Sequence, residues 1–234
     1  AEGILATMVA AYDNLKSRNW REPEGPTIIY LRKTFFGGYG STTKAVFGRP
    51  TVTINIAECP LGSAAYYTTA AHEVAHVFQR NYTTNIIAKW FDEAAAEWVA
   101  VDTVGNNFLS DNLNFALPFA NSLPSGFTFG YSTDEGYAAS PWAVWLEKNY
   151  QNSVRKIYEE LDGNPLAWED HHGTVSAVTG SSIGTLYRDF ARDFWLQNFD
   201  PVTTADLTTL ANETGRKVDL VMTETGDISF GDTR

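Results

Sequence analysis

Residues 71–79 read Ala-His-Glu-Val-Ala-His-Val-Phe-Gln, an H-E-x-x-H sequence inside a pattern that predicts a helix over Thr68–Tyr82. His72 and His76 are four residues apart, so on a helix their imidazoles share one face and can bind one metal ion. Glu73 is turned about 100° from His72 and can reach a water at such an ion without binding the metal. Two neutral imidazoles suit Zn²⁺, but a catalytic zinc site needs a third protein ligand and an open position.

A second helical segment carries carboxylates that could complete such a site. Residues 90–98 read Trp-Phe-Asp-Glu-Ala-Ala-Ala-Glu-Trp, and the three consecutive alanines would let two helices approach closely. Glu93 and Glu97 are four residues apart and therefore share a helix face. We expect one of them to join His72 and His76 in a His-His-Glu site. The alternative is an ordinary pair of histidines on a helix with no ligand.

Composition places the chain among folded globular proteins. Of its 234 residues, 44% are hydrophobic and 19% are charged, which suits one large domain or two small lobes. The net charge of −11 would repel nucleic-acid phosphates and anionic lipid, so we expect no nucleic-acid partner. No run of 18 apolar residues occurs, so we expect no membrane span. The single cysteine, Cys59, excludes an internal disulfide and a cysteine-based zinc cluster.

The first third of the chain reads as one helix followed by strands. Three- and four-residue spacing predicts a helix over Ile4–Ser17, and a strand is predicted over Thr27–Lys33. The glycine-rich stretch Phe36–Ser41 reads as a loop. Clean alternation predicts a strand over Thr51–Ala57 with one buried and one exposed face.

The remainder of the chain reads as mainly helical. Beyond the H-E-x-x-H segment, helices are predicted over Phe91–Val104, Tyr137–Tyr150, Val154–Leu161 and Ile183–Asn198. Asn106–Ser132 is polar and irregular, which predicts a long surface excursion, and short strands are expected after Thr208. We therefore expect a single α+β domain over residues 1–234, with an N-terminal lobe over about 1–82 and a helical lobe over about 83–234.

Together, the H-E-x-x-H segment and the Trp-Phe-Asp-Glu-Ala stretch resemble the gluzincins, the thermolysin-like zincin group of zinc metallopeptidases. Sixteen residues separate His76 from Glu93, and the resemblance covers about residues 27–150. It implies that His72, His76 and Glu93 bind one Zn²⁺ ion and that Glu73 is the catalytic base.

The resemblance also implies an architecture. It predicts a zincin-like fold, with a small twisted N-terminal sheet and the active-site helix on one side of a cleft and the helical lobe on the other. In this comparison Glu97 matches an acidic residue that supports a histidine ligand from behind. Thr51–Ala57 resembles the edge strand that pairs with an extended substrate.

Two departures bear on the family comparison. Ala94 stands where glycine is common in the gluzincins. The metzincin pattern H-E-x-x-H-x-x-G-x-x-H fails, because Gln79 and Tyr82 occupy the positions of its glycine and third histidine.

The family also uses a tyrosine or histidine to stabilise the oxyanion of the reaction. Tyr137, in the stretch Glu-Gly-Tyr-Ala-Ala, is the first candidate and Tyr131 the second. His171 and His172 are alternatives, although adjacent helical residues point about 100° apart, so at most one would face a cleft. Otherwise this histidine pair belongs to a polar loop.

These observations predict a zinc-dependent peptidase that cleaves extended peptides or proteins, most simply an endopeptidase. Two alternatives remain open: a zincin-fold binding or structural module without turnover, and a zinc aminopeptidase. Retention of Glu73 favours catalysis over the first. The chain begins at Ala1 without an initiator methionine, a start that processing or trimming leaves, and we expect a secreted or extracytoplasmic monomer.

Overall fold

The structure, a computed structural model, describes residues 2–34, 38–44, 49–82, 89–105, 136–137, 139–162, 171–195, 218–222 and 228–232. Within these ranges the chain forms seven helices: α1 (Glu2–Ser17), α2 (Ala64–Gln79), α3 (Lys89–Val104), α4 (Ser140–Asn149), α5 (Ser153–Leu161), α6 (His171–Thr179) and α7 (Ile183–Trp195). The strands in the same ranges are β1 (Ile28–Arg32), β2 (Gly40–Lys44), β3 (Pro50–Asn55), β4 (Val218–Met222) and β5 (Ile228–Asp232). The predicted α+β class is confirmed, with helices predominating.

The central strand of the N-terminal sheet is β3, which pairs in parallel with β1 and antiparallel with β2. The prediction that Thr51–Ala57 is an edge strand is therefore wrong, since both of its edges are hydrogen-bonded. The prediction of one exposed face is wrong as well, because Thr53 and Asn55 are buried along with the apolar residues. Alternation misled here because the Asn55 side chain bonds main-chain groups of the neighbouring segment and is thereby tolerated inside.

One edge of the sheet is β2, which begins inside the glycine-rich stretch that was predicted to be a loop. Gly40 pairs with Ile54 of β3. A Cβ atom on Gly40 would lie only 2.7 Å from Cγ2 of Thr69 on α2. Glycine is needed here for close approach of strand and helix, a use that a sequence pattern does not distinguish from a break.

The helix that carries the H-E-x-x-H sequence is the centre of the fold. It begins at Ala64, four residues before the predicted start, because the Ser63 side chain accepts a hydrogen bond from the main chain of Tyr66 and caps it. It packs against α1, α3 and the sheet. As a result, every residue from Thr69 to Gln79 is buried.

The packing of α2 on α3 uses small side chains. Ala94, Ala95 and Ala96 are all fully buried, as are Ala70 and Ala71 on the facing helix. This is the close approach that the run of three alanines predicted, and it brings side chains of the two helices within bonding distance of one another.

Two salt bridges of Arg18 link the end of α1 to α3 and α4. The Arg18 guanidinium lies 2.7 Å from an oxygen of Asp102 on α3 and 3.1 Å from an oxygen of Glu147 on α4. Glu147 is buried and also accepts hydrogen bonds from the main-chain amides of Asn152 and Val154 at the start of α5. Arg18, directly after the end of α1, thereby links α1 to α3 and α4.

The later helices agree with the predictions in position, and differ in detail. Ser140-Pro141 starts α4 three residues after the predicted Tyr137, since proline is well placed in the first turn of a helix. The pair His171-His172, predicted to be a loop, begins α6. The alternating tail residues form β4, which pairs antiparallel with β5.

Some predictions fall outside the described residues. These are the surface excursion over Asn106–Ser132, the lobe boundary near residue 83 and the last turn of the Ile183–Asn198 helix. Across the part of the chain that the structure describes, no helix combines the length and the apolar character needed to cross a membrane.

Candidate metal centre

Three side chains converge where α2 packs on α3. The Nε2 atom of His72 lies 2.9 Å from Nε2 of His76 and 3.1 Å from Oε2 of Glu93. The third side of this triangle, from His76 Nε2 to Glu93 Oε2, is 3.4 Å. A tetrahedral zinc ion with bonds of about 2.0–2.1 Å separates its ligand atoms by about 3.3 Å. The triangle therefore has the size that one such ion requires.

The chemistry of the donor set also fits a cation. An imidazole nitrogen without a proton is an acceptor, and two acceptors 2.9 Å apart repel unless a cation lies between or beside them. Both rings are buried, so water does not relieve that repulsion. Two imidazoles and one carboxylate are a common ligand set of catalytic zinc sites, which keep one position open.

Each histidine is held from behind by a second hydrogen bond. Nδ1 of His72 lies 2.7 Å from Oε1 of Glu97, and Nδ1 of His76 lies 2.6 Å from Oε1 of Gln79. Because these oxygens accept, the Nδ1 atoms donate, and each Nε2 atom, which faces the shared point, can offer a lone pair to an ion when it carries no proton. Glu97 thus lies in the supporting position that the resemblance implied.

The surroundings favour positive charge at the two rings. Burial lowers the pKa of His72, but hydrogen bonds to Glu93 and Glu97 outweigh it and hold the pKa well above its ordinary value. Burial alone would raise the pKa of Glu93, but its bonds to His72 and His76 hold it far below the usual range. The ionised carboxylate and the preference for charge are the electrostatic conditions of a cation site.

The carboxylate of Glu73 is fixed by β2. The Thr42 hydroxyl donates to Oε2 of Glu73 at 2.6 Å and also lies 3.0 Å from the main-chain oxygen of Glu73. A Cβ atom on Gly40 would lie 2.6 Å from Oε1 of Glu73, so no other residue fits at that position without displacing the carboxylate. Glu73 and Thr42 are both buried.

Tyr137 lies over the cluster. Its ring stacks on the ring of His72, with centroids 5.7 Å apart. Burial, together with the negative charges of Glu93, Glu97 and Glu73, raises the pKa of the Tyr137 hydroxyl far above its usual value. The hydroxyl therefore keeps its proton in the physiological range, and it forms a hydrogen bond with Glu93.

Gly136, the residue before Tyr137, lets the chain pass close to α3. A Cβ atom on Gly136 would lie 2.5 Å from Cβ of Glu93 and 2.6 Å from the main-chain oxygen of Trp90. Only glycine allows the chain to pass so close to α3. The sequence Gly136-Tyr137 was therefore the available signal for this part of the site. The reason for the glycine is visible only in its close approach to α3.

The other oxyanion candidates are placed differently. His171 is buried against Trp90 and Phe91, with ring centroids 4.7 Å away in each case. Neither of its ring nitrogens has a hydrogen-bond partner among the described residues, and burial lowers its pKa to about 3. His172 is exposed, as expected if at most one of the pair faces inward. Tyr131 lies outside the described residues.

Three residues at the site were missed in the sequence: Gly40, Thr42 and Gln79. The first two belong to a segment that was not recognised as a strand, so nothing connected them with the H-E-x-x-H helix. Gln79 was noted only because it excludes the metzincin pattern. Its position three residues after His76, on the same side of the helix, was the available signal.

Comparison with protein-family models, with curated proteins and with solved structures gives no match for this chain. The likeness to gluzincins therefore rests on the two sequence segments alone. The cluster of His72, His76 and Glu93 is an independent observation, since it depends on distances between side chains of two helices.

Proposed function

We propose that this chain is a zinc-dependent peptidase that cleaves extended polypeptides, as an endopeptidase. One observation carries the proposal: a triangle of His72, His76 and Glu93 of the right size for zinc has a second, fixed carboxylate, Glu73, on the same helix. A structural zinc site needs only the ligands. The buried and hydrogen-bonded Glu73 is what favours turnover.

His72, His76 and Glu93 would hold the ion, with Glu97 and Gln79 behind the two rings. When bound, zinc supplies Lewis acidity, which lowers the pKa of water towards neutrality and polarises a carbonyl oxygen. Three protein ligands leave one tetrahedral position for reactants. The remaining chemistry falls to side chains of this chain.

In this proposal Glu73 moves the proton. Its Oε2 accepts a hydrogen bond from Thr42, and its Oε1 lies so close to the main chain of Gly40 that a Cβ atom there would be 2.6 Å away. A carboxylate fixed in this way can take a proton from the attacking water and return it to the leaving amine. A preset orientation avoids the cost of ordering the base during the reaction.

In this proposal Tyr137 stabilises negative charge. Its hydroxyl stays protonated, and the ring stacks on His72, so the donor lies at the rim of the same site. A hydroxyl that donates to the oxygen of a tetrahedral intermediate lowers the barrier to acyl transfer.

The substrate-binding edge is assigned to β2 instead of Thr51–Ala57. Within the described residues, β2 pairs only with β3, so its outer edge offers main-chain groups to another strand. The same strand contacts Glu73 through Gly40 and Thr42. An extended peptide added along β2 would therefore pass beside the base, which favours internal cleavage.

The test is cleavage of an unfolded, dye-labelled protein by metal-analysed samples. We expect one zinc per chain, loss of cleavage after dialysis against a chelator, and recovery on addition of zinc. Mass spectrometry of the products separates internal cuts from stepwise release of amino-terminal residues, which would indicate an aminopeptidase. Zinc bound at one per chain without any cleavage would indicate a binding or structural module.

A further inference from the structure

We propose that Gln79 is the residue that positions two of the three ligands, His76 and Glu93, through one side-chain amide. The inference rests on the proposed metal site and adds a positioning residue to it. Gln79 lies in the last turn of α2 and is buried, with 3% of its surface exposed. A buried amide must have partners for both its oxygen and its nitrogen.

Both ends of the amide are occupied. Oε1 of Gln79 lies 2.6 Å from Nδ1 of His76, and Nε2 of Gln79 donates to the main-chain oxygen of Asp92 at 2.9 Å. Asp92 belongs to α3, so the side chain crosses from one helix to the other. It does so directly behind the metal ligands.

The orientation of the amide follows from its partners. A main-chain carbonyl can only accept, so the nitrogen of Gln79 must face Asp92 and the oxygen must face His76. His76 therefore carries its proton on Nδ1, and its Nε2 offers a lone pair to the ion. Because Gln79 also bonds α3, the tautomer of His76 is set by the contact between the two helices.

The second end of the amide acts on Glu93. Asp92 directly precedes Glu93, and its carboxylate accepts a hydrogen bond from the Tyr158 hydroxyl at 2.6 Å. The first turn of α3 is therefore held by Gln79 on one side and by α5 on the other. Glu97 cannot play the same part for His72, since its side chain has no N–H group to donate to a main-chain oxygen.

Because Gln79 bonds both His76 and Asp92, the substitutions Gln79→Glu and Gln79→Met remove different hydrogen bonds. Gln79→Glu keeps an acceptor for His76 but puts a second oxygen against the carbonyl of Asp92. Gln79→Met has similar length and removes both bonds. If Gln79 acted on His76 alone, Gln79→Glu would hold zinc at least as tightly as the parent, because a carboxylate is the stronger partner of a histidine ligand.

The experiment measures zinc affinity by competition with a coloured chelator for the full-length parent, Gln79→Glu, Gln79→Met and Glu97→Gln. The last variant is the matched control, since it keeps an acceptor behind His72. We expect zinc affinity to fall about 10–100-fold or more in both Gln79 variants and less in the control. Parent-like affinity in Gln79→Glu overturns the link to Glu93, and parent-like affinity in both variants overturns the whole inference.

A measurement on the parent protein tests the inference even if the variants do not fold. Nitrogen NMR of the zinc-loaded protein reports which ring nitrogen of His76 carries the proton. We expect Nδ1 to be protonated and the side-chain amide protons of Gln79 to exchange slowly with solvent. A proton on Nε2 of His76, or a fast-exchanging Gln79 amide, contradicts the inference. These readouts need no peptidase activity, so absence of cleavage in the parent would overturn only the proposed function.

Discussion

Nδ1 of His72 lies 2.7 Å from Oε1 of Glu97, on the side of the ring opposite to the atom that faces Glu93. The two carboxylates of α3 are one turn apart and look equivalent in the sequence. The imidazole between them makes them different, because its Nε2 faces the ligand triangle and its Nδ1 faces away. Glu93 is thereby a ligand candidate, and Glu97 a support for His72.

Substitution of these two residues should have unequal effects on zinc. Glu93→Ala removes a corner of the triangle and should abolish tight zinc binding. Glu97→Ala leaves the triangle but frees the ring of His72, and should weaken zinc affinity by about 10–100-fold. Competition with a coloured chelator measures both. The opposite order of effects would place the ligand one helical turn later.

Glu73→Gln should keep the fold and the zinc content and lose most of the cleavage rate. The amide still accepts a hydrogen bond from Thr42, but it cannot take a proton. Loss of a general base typically costs about 10²–10⁴-fold in rate. Initial rates on a labelled unfolded protein, compared at equal zinc content, provide the measurement. Parent-like rates would remove Glu73 from the mechanism.

Thr42→Val, which is nearly isosteric, should lower kcat while leaving zinc affinity unchanged. The hydroxyl bonds a charged carboxylate in a buried setting, and such bonds contribute about 1.5–3 kcal/mol, or about 10–100-fold in rate. Thr42→Ser keeps the hydroxyl and is the matched control, for which most of the rate should remain. Equal losses in both variants would point to packing of β2 instead of the hydrogen bond.

Tyr137→Phe should lower kcat with little change in KM, because the hydroxyl is proposed to act on charge that develops during the reaction. Oxyanion donors typically contribute about 10²–10³-fold. Phenylalanine keeps the ring contact with His72 and loses the hydrogen bond of the hydroxyl to Glu93, so the rates are compared at equal zinc content. A parallel rise in KM without loss of kcat would assign the hydroxyl to substrate binding.

His171 should make the fold less stable in acid. Its pKa is lowered by burial to about 3, whereas an unfolded histidine titrates near its ordinary 6.5. Between these values the unfolded chain binds a proton that the folded chain does not, so stability is full above pH 6.5 and falls as the pH is lowered. This one group should cost about 2 kcal/mol between pH 7 and pH 5.

The check is urea unfolding of the parent and of His171→Phe at pH 7 and pH 5, with a chelator in every sample. Phenylalanine suits the aromatic site beside Trp90 and Phe91 and does not titrate. The parent should lose about 2 kcal/mol more than the variant over this interval. Equal losses would show that His171 gains a proton without cost in the folded protein.

Much of the fold was predictable because it rests on local periodicity. The helices α1, α2 and α3 follow three- and four-residue spacing of apolar residues, and β1 was predicted to within one residue at each end. The misses have a different cause. Gly40 and the helix that begins at His171 lack a local signal, since each depends on what packs against it.

The ligand pair on α2 was determined by the sequence itself, because a helix places residues four apart on one face whatever surrounds it. Periodicity left Glu93 and Glu97 both open as the third ligand, and the resemblance to gluzincins implied Glu93. The distances come from packing: the buried alanines bring α3 close enough for Glu93 to lie near both Nε2 atoms, with Glu97 at Nδ1 of His72. Thr42 and Tyr137 reach the site from β2 and from the chain before α4, and Gln79 reaches the main chain of α3 from the end of α2. Only tertiary structure could bring them together, because hydrogen bonds and ring contacts depend on distances in space that no spacing along the chain encodes.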